Sequence, residues 1–326
     1  MAEAREETAR EPQTAPGNDI VLALGGGGAA GLAHVGVLQA LAEEGIRVRA
    51  VVGTSIGAEI GAFYVRGMSL EELARLALSF DWLQNLRLFL PDLPDGGLVS
   101  GREIVNFLRR GLGDARIETL PVGYCAIAAD LESGEQVVID SGELVLAVRA
   151  SVSLPGILTP VQIGKRMLVD GGVVNPVPFD VAHARFGGPV VAVAVHSGAR
   201  RRELPVPSTH TSEWPGHARE LLDQPWMAKA PALRVWLEGR LETIQRRSKE
   251  PEPYWTAPRV VDRVMDITKS ELVRLRALQV APDLMLSPDV GAIGLLEFYR
   301  AREAIDAGRA AVRENLAALQ RLATGP

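Results

Sequence analysis

Three short stretches carry residue types that could do chemistry together. Ser55 lies in Gly53-Thr54-Ser55-Ile56-Gly57, a Gly-x-Ser-x-Gly spacing. A serine hydroxyl is a weak nucleophile and needs a base within hydrogen-bond reach. Flanking glycines permit a sharp strand-to-helix turn that leaves the hydroxyl exposed, with close helix-strand packing behind it. The apolar run Ala50-Val51-Val52 precedes Ser55, and helix-compatible residues from Ile56 to Val65 follow. A glycine-rich turn with a capping serine fits the same residues, and the stretch alone does not separate the two readings.

The second stretch is Gly25-Gly26-Gly27-Gly28-Ala29-Ala30-Gly31, entered from Ile20 to Leu24. Leu32, Val35, Leu38 and Leu41 then fall on one helical face, and Gly45 is the stop. A strand, a glycine loop and a helix point successive amides into one small volume, which favours negative charge. Gly26-x-Gly28-x-x-Gly31 also satisfies a dinucleotide-phosphate fingerprint, but that reading needs an acidic residue at the end of the next strand. That strand, Val48 to Val52, ends in Gly53-Thr54-Ser55, and Glu43 and Glu44 fall earlier. The other candidate anion is the oxyanion of an attacked carbonyl. Two parallel strands would deliver the loop and Ser55 to one carboxyl-end edge, where α/β sites lie.

Asp170-Gly171-Gly172 is the third stretch, delivered by a hairpin from Val161-Gln162-Ile163 to Arg166-Met167-Leu168-Val169. A carboxylate there has a fixed position and an uncrowded approach, although an ordinary Asp-Gly turn has the same letters. Histidine is the more familiar partner of a catalytic serine, and in α/β hydrolases it comes near the chain's end. Here no histidine follows His217. His34 reads as structural, His183 lies in a helix pattern, His196 ends a strand, and His210 and His217 sit in an irregular stretch. A triad does not fit this order, and a Ser-Asp pair survives the elimination.

The elements that must position these groups alternate as in an α/β protein. Further strands are expected over Pro121 to Ala129, Gln136 to Ile139, Pro189 to Val195 and Pro282 to Leu286. Helices are expected from the capping box Ser69-Leu70-Glu71-Glu72, over Ser100 to Arg110, and over Leu144 to Val152. A second box, Thr268-Lys269-Ser270-Glu271, predicts a helix opening there and running through Gln279, before a long closing helix from Leu295 to Leu322. Apolar residues from Trp82 to Leu98 could line an acyl pocket, though core packing is the commoner fate.

With 326 residues, 47% hydrophobic and 23% charged, the chain can bury a large core. A net charge of -5 gives no general attraction to nucleic acid. Met1 to Asn18 has no apolar core and reads as a disordered tail rather than a signal or a membrane span. Cys125, the single cysteine, lies in an apolar strand, where a thiol is inert; one thiol fits a reducing compartment. Residues 200–262 form a compositional insert holding Trp214, Trp226, Trp236 and Trp255. A tryptophan-rich helix docked on the core, or one lying at a membrane interface, would suit it.

Taken in order, the glycine loop through Leu32-Ala33-His34, Gly53-Thr54-Ser55-Ile56-Gly57, Ser153-Leu154-Pro155-Gly156 and Asp170-Gly171-Gly172 resemble the four blocks of the patatin-like phospholipases. The likeness is greatest to the bacterial branch related to the neuropathy target esterase catalytic domain. It implies a three-layer α/β/α patatin-like fold with a central, mostly parallel sheet and a helical tryptophan-rich insertion. The expected division is a tail over 1–18, a catalytic domain over 19–199, the insertion over 200–262, and a completing segment over 263–326.

The resemblance makes Ser55 the nucleophile, Asp170 its base, and the amides of Gly26, Gly27 and Gly28 the oxyanion hole. Gly31, Gly53, Gly57, Gly171 and Gly172 support the motifs. It implies a lipid or fatty-acyl ester substrate, no metal or organic cofactor, and a cytoplasmic location that allows peripheral membrane contact. Where the family usually has Arg or Lys, this chain has Ala30. That departure keeps a second reading open, a lipid-binding relative of weak or no activity.

Overall fold

The computed structural model describes residues 19–79, 101–195 and 257–324. The expected tail, the Trp82 to Leu98 segment and almost all of the tryptophan-rich insertion lie outside the described residues. Those up to Val195 and those from Met265 onward belong to one compact unit.

Its centre is an eight-stranded mixed sheet in the order β5-β6-β3-β2-β1-β7-β8, with β4 also paired to β3. The strands are β1 (Asp19–Leu24), β2 (Arg47–Thr54), β3 (Gly123–Asp130), β4 (Gln136–Ile139), β5 (Val161–Ile163), β6 (Arg166–Asp170), β7 (Val190–Val193) and β8 (Leu284–Leu286). β8, β7, β1, β2 and β3 run parallel, whereas β4, β6 and β5 are antiparallel additions.

Alternation along the strands sends side chains to two separate cores, as a pleated sheet buried on both faces requires. On β1, Ile20, Leu22 and Leu24 enter one core while Val21 and Ala23 enter the other. The first core is covered by α1 (Ala33–Glu43), α2 (Ile56–Val65), α3 (Leu70–Leu78), α4 (Arg102–Leu112) and α5 (Leu144–Ser151). The second is covered by α6 (Phe179–Phe186) and, through Val273, by α7 (Ala257–Ala277). Two helices close the chain on the first face, α8 (Ala301–Glu314) and α9 (Leu316–Thr324). The result is the expected three-layer arrangement of a mostly parallel sheet between helices.

α1 and α8 approach closely through reciprocal glycines. A β-carbon on Gly36 would strike the Ile305 carbonyl, and one on Gly308 would strike the Ala33 carbonyl. The end of the chain is thereby packed against the helix that follows the glycine loop.

The structure corrects two helix boundaries. The single closing helix is interrupted at Asn315, whose side-chain amide donates to the Ala311 carbonyl at 2.9 Å, and a short 3-10 turn over Phe298–Arg300 precedes α8. The Thr268 capping box opens nothing, because α7 already runs from Ala257. A Ser/Thr-x-x-Glu pattern also occurs inside helices, where the donors that a cap would satisfy are already bonded to the preceding turn. By contrast, the Ser69 box is complete, with Ser69 Oγ accepting from the Glu72 amide and Glu72 accepting from the Ser69 amide.

Candidate active site

Sheet register brings the three chemical stretches together. Leu24 pairs with Gly53 on one side and with Val193 on the other, so the glycine loop and Ser55 leave adjacent parallel strands at the same edge. Thr54 pairs with Ile127, and the next residue of β3, Ala128, pairs with Asp170 on antiparallel β6. The β5-β6 hairpin reverses the chain and carries Asp170 to the level of Ser55.

Ser55 has φ 55° and ψ -126°, the only positive φ outside glycine among the described residues. Such a conformation costs about 1–3 kcal/mol and persists only where its surroundings over-determine it. Here they do. The Ser55 amide donates to Ser151 Oγ at 2.9 Å, and that hydroxyl donates in turn to the Ile127 carbonyl at 2.6 Å. A β-carbon on Gly57 would strike the Leu24 carbonyl, and one on Gly53 would strike Ala58, so no larger residue allows α2 to lie this close to the sheet.

Ser55 Oγ donates to Asp170 Oδ2 at 2.5 Å. The other carboxylate oxygen, Oδ1, accepts from the Gly172 amide at 2.7 Å, and the Asp170 amide donates to the Ser153 carbonyl at 2.9 Å. Asp170 is 3% exposed. Burial pushes its carboxyl above the usual carboxylate range, opposed by the Ser55 hydroxyl, by the Lys269 charge and by the Gly172 amide. Gly171 packs against the Ile127 carbonyl, where a side chain would not fit.

The glycine loop is pinned at its start and open in its middle. Gly25 donates to the Val193 carbonyl, and His34 Nε2 donates to the Gly25 carbonyl at 2.7 Å. Burial lowers the His34 pKa to about 4 against the opposing pull of that bond, so the ring is neutral and structural. The Gly26 amide is committed to the Pro176 carbonyl at 2.9 Å and the Ala29 amide to the Leu295 carbonyl at 2.9 Å. Gly26 is therefore unavailable as an oxyanion donor, which corrects the expectation for that residue. The amides of Gly27 and Gly28 have no such acceptor among the described residues, and both residues line the cavity beside Ser55. Gly31 serves packing, since a β-carbon there would strike Ile56.

The cavity holds about 1090 Å³ of empty space out to its mouth, and Ile60, Phe63, Leu73, Phe107 and Leu158 give it apolar walls. Helix α4 supplies Ile104 and Phe107. Among the described residues, Ser55, Asp170, Glu59 and Lys269 are the ionisable or nucleophilic groups on its surface. Cys125 is elsewhere, buried with its thiol pushed up to about 12 by burial. Among the described residues no cluster of three or more His, Cys, Asp or Glu side chains could hold a metal ion.

Four residues at or behind the site escaped the sequence reading. Ser151 and Arg149 had been absorbed into a helix pattern; Arg149 is 3% exposed and donates to Ser153 Oγ and to the Thr159 carbonyl, bracing the segment that holds Asp170. Glu59 follows Ser55 by four positions, which a helix places on the same face. Lys269 was hidden by the misplaced helix start. Its signal was the stripe Lys269-Val273-Ala277, in which a cation takes an inward-facing position.

Residues 22–183 match the family model described as patatin-like phospholipase. An uncharacterized NTE family protein of Mycobacterium tuberculosis is 31% identical over 333 residues, covering 92% of this chain and 92% of its own. Mouse patatin-like phospholipase domain-containing protein 6 is 34% identical over 203 residues, which is 60% of this chain and 15% of that protein. Among solved structures, VipD from Legionella pneumophila covers 92% of this chain and 67% of its own, at 14% identity and a TM-score of 0.43. Three-layer fold, elbow serine and sequence likeness together define a protein of the lipid-hydrolase class. Within that class, the chain belongs to the patatin-like phospholipase family, and its relatives include proteins that carry the NTE family name.

Two outcomes follow from this geometry. Ser151→Ala removes the acceptor for the Ser55 amide at a strained residue and should cost about 1–3 kcal/mol in urea unfolding; an unchanged midpoint would show that the tether does not hold the elbow. Burial raises the Glu59 pKa from 4.5 to about 7. Favourable placement at a helix N-terminus, typically about 0.3–1 kcal/mol, is too small to offset this. The unfolded chain releases that proton first, so Glu59 lowers stability as pH rises from about 4.5 to about 7. Glu59→Gln should therefore be stabilising by up to about 3 kcal/mol above pH 7 and by almost nothing near pH 4. Melting curves with the same difference at both pH values would reject that account.

Proposed function

We propose that this protein is a serine lipid acyl hydrolase, of phospholipase A, lysophospholipase or carboxylesterase type. The observation that carries the reading is the 2.5 Å hydrogen bond from Ser55 Oγ to Asp170 Oδ2 at the floor of an apolar cavity. Asp170 takes the Ser55 proton as Oγ attacks the ester carbonyl. The amides of Gly27 and Gly28 receive the negative charge on the tetrahedral oxygen, and backbone donors already fixed in place lose nothing to reorganisation. The tetrahedral species collapses, the proton passes from Asp170 to the departing alkoxide, and an acyl-Ser55 ester remains. Water then enters, gives its proton to Asp170 and attacks the acyl carbonyl; the proton returns to Ser55 Oγ as the fatty acid leaves. None of these steps calls on a metal or an organic cofactor.

An acyl chain of several carbons fits the apolar walls, each buried methylene contributing about 0.8 kcal/mol. Leu296, which lines the cavity and is 54% exposed, and Tyr299 at 67% suit peripheral contact with a lipid surface. No described helix is long and apolar enough to cross a membrane. The single buried thiol fits a cytoplasmic location.

A second reading, a lipid-binding relative without turnover, is motivated by Ala30, which is 4% exposed in the core and brings no charge to the loop. A fluorophosphonate probe separates the two, because stoichiometric labelling of Ser55 requires an activated hydroxyl. Hydrolysis of p-nitrophenyl butyrate should fall about 1,000-fold or more in both Ser55→Ala and Asp170→Asn, with melting temperatures near that of the parent. Folded Asp170→Asn with undiminished turnover would remove Asp170 from the mechanism.

A further inference from the structure

A base must be ionised to take a proton, and Asp170 sits where ionisation is costly. Asp170 is 3% exposed and lines a cavity whose walls are largely apolar. A carboxylate in such a place either acquires a compensating charge or stays protonated. Ala30, buried in the glycine loop, brings no charge to it.

Among the described residues, the groups near the carboxyl are few. Ser55 Oγ and the Gly172 amide donate to it but carry no charge. From α5, Arg149 turns its guanidinium to Ser153 and Thr159, and its charge is not among those acting on the Asp170 carboxyl. At the far end of β6, Arg166 lies 3.7 Å from Asp130. Further along α7, Arg276 holds Asp180 at 2.5 Å. Glu59 on α2 is uncharged below about pH 7. That leaves Lys269, which is 9% exposed, lines the same cavity, and carries its Cε within 3.7 Å of where a Gly172 β-carbon would stand. Among the described residues its ammonium makes no hydrogen bond or direct ion pair, and its charge acts on the Asp170 carboxyl.

Lys269 is held firmly. Four positions on, Val273 is buried in the second core. Arg276 donates to the Val174 carbonyl at 3.0 Å as well as to Asp180, tying α7 to the segment that follows Asp170. A lysine side chain on a pinned helix is pre-organised, so little is lost in bringing its charge to the carboxylate.

Building on the hydrolase reading above, we propose that Lys269 is a positioning residue for the Ser55–Asp170 pair: its ammonium, delivered across the cavity by α7, supplies the positive charge that keeps Asp170 ionised and able to accept the serine proton.

The test is the pH dependence of kcat/KM for p-nitrophenyl butyrate, measured on the full chain from about pH 5 to about pH 10, where the acid limb reports the base of the free enzyme. Lys269→Met and Lys269→Gln should move that limb upward by about one pH unit, as loss of a nearby opposite charge does. Activity should return toward the parent value on the alkaline plateau. Lys269→Arg keeps the charge and should leave the limb in place. A purely structural role would lower the plateau without moving the limb. An unmoved limb in either folded neutral variant, or an arginine variant that shifts as far as methionine, overturns the proposal. Two neutral variants guard against one failing to fold. Asp170→Asn distinguishes the failures: if it is inactive while the limb stays put, only the role of Lys269 falls; if it is active, the catalytic pair itself falls.

Discussion

The structure depends on one contact, a serine hydroxyl donating to a carboxylate that solvent barely reaches. Ser55 Oγ and Asp170 Oδ2 are 2.5 Å apart, although 115 positions separate them along the chain. Holding them so requires a serine in left-handed backbone, a hairpin that reverses the last strand before the site, and a helix packed so closely on the sheet that only glycines fit between them. Each of these is locally unfavourable or uncommon. Together they are stable because all three are anchored to one rigid piece, the β1-β2-β3 centre of the sheet, buried on both faces.

The same burial that orders the pair also opposes its chemistry. Taking a carboxylate out of water costs several kcal/mol even after relaxation. Two hydrogen bonds, each worth about 1.5–3 kcal/mol when the acceptor is charged, recover much of that cost. Burial raises the Asp170 pKa, and the Ser55 hydroxyl, the Lys269 charge and the Gly172 amide all oppose that rise. Glu59 shows the outcome without those donors. It is a carboxyl on the same cavity, one helical turn from Ser55, with no hydrogen-bond partner among the described residues, and its pKa rises to about 7.

Much of this could be read before the structure was known. Every strand expected from an apolar run was found within a few residues, because parallel strands buried on both faces are continuous apolar runs bounded by glycine and proline. Gly-x-Ser-x-Gly and Asp-Gly-Gly pointed to the residues that meet. What could not be read lay in the third dimension. Ser151 looks like any polar residue near a helix end, and Arg149 like any exposed helical arginine, until the tether to Ile127 and the brace on Ser153 are seen. Lys269 was missed for a specific reason: a correct local rule was applied inside a helix whose start lay upstream. Gly26 was misassigned because letters do not reveal which amide of a glycine run is already bonded, here to Pro176.

A glycine loop divides its amides between two tasks. Successive amides cannot all serve an anion, since the loop must also be held to the sheet by some of them. In this chain the division is clear: Gly25 and Gly26 bond the sheet side, Ala29 bonds Leu295, and Gly27 and Gly28 between them face the cavity. Gly28 has φ 55°, and a β-carbon there would strike the Leu295 carbonyl, so the middle of the loop cannot be anything but glycine. The outer bonds set the direction of the inner amides, and that direction, rather than the number of glycines, decides whether developing charge meets donors already in place.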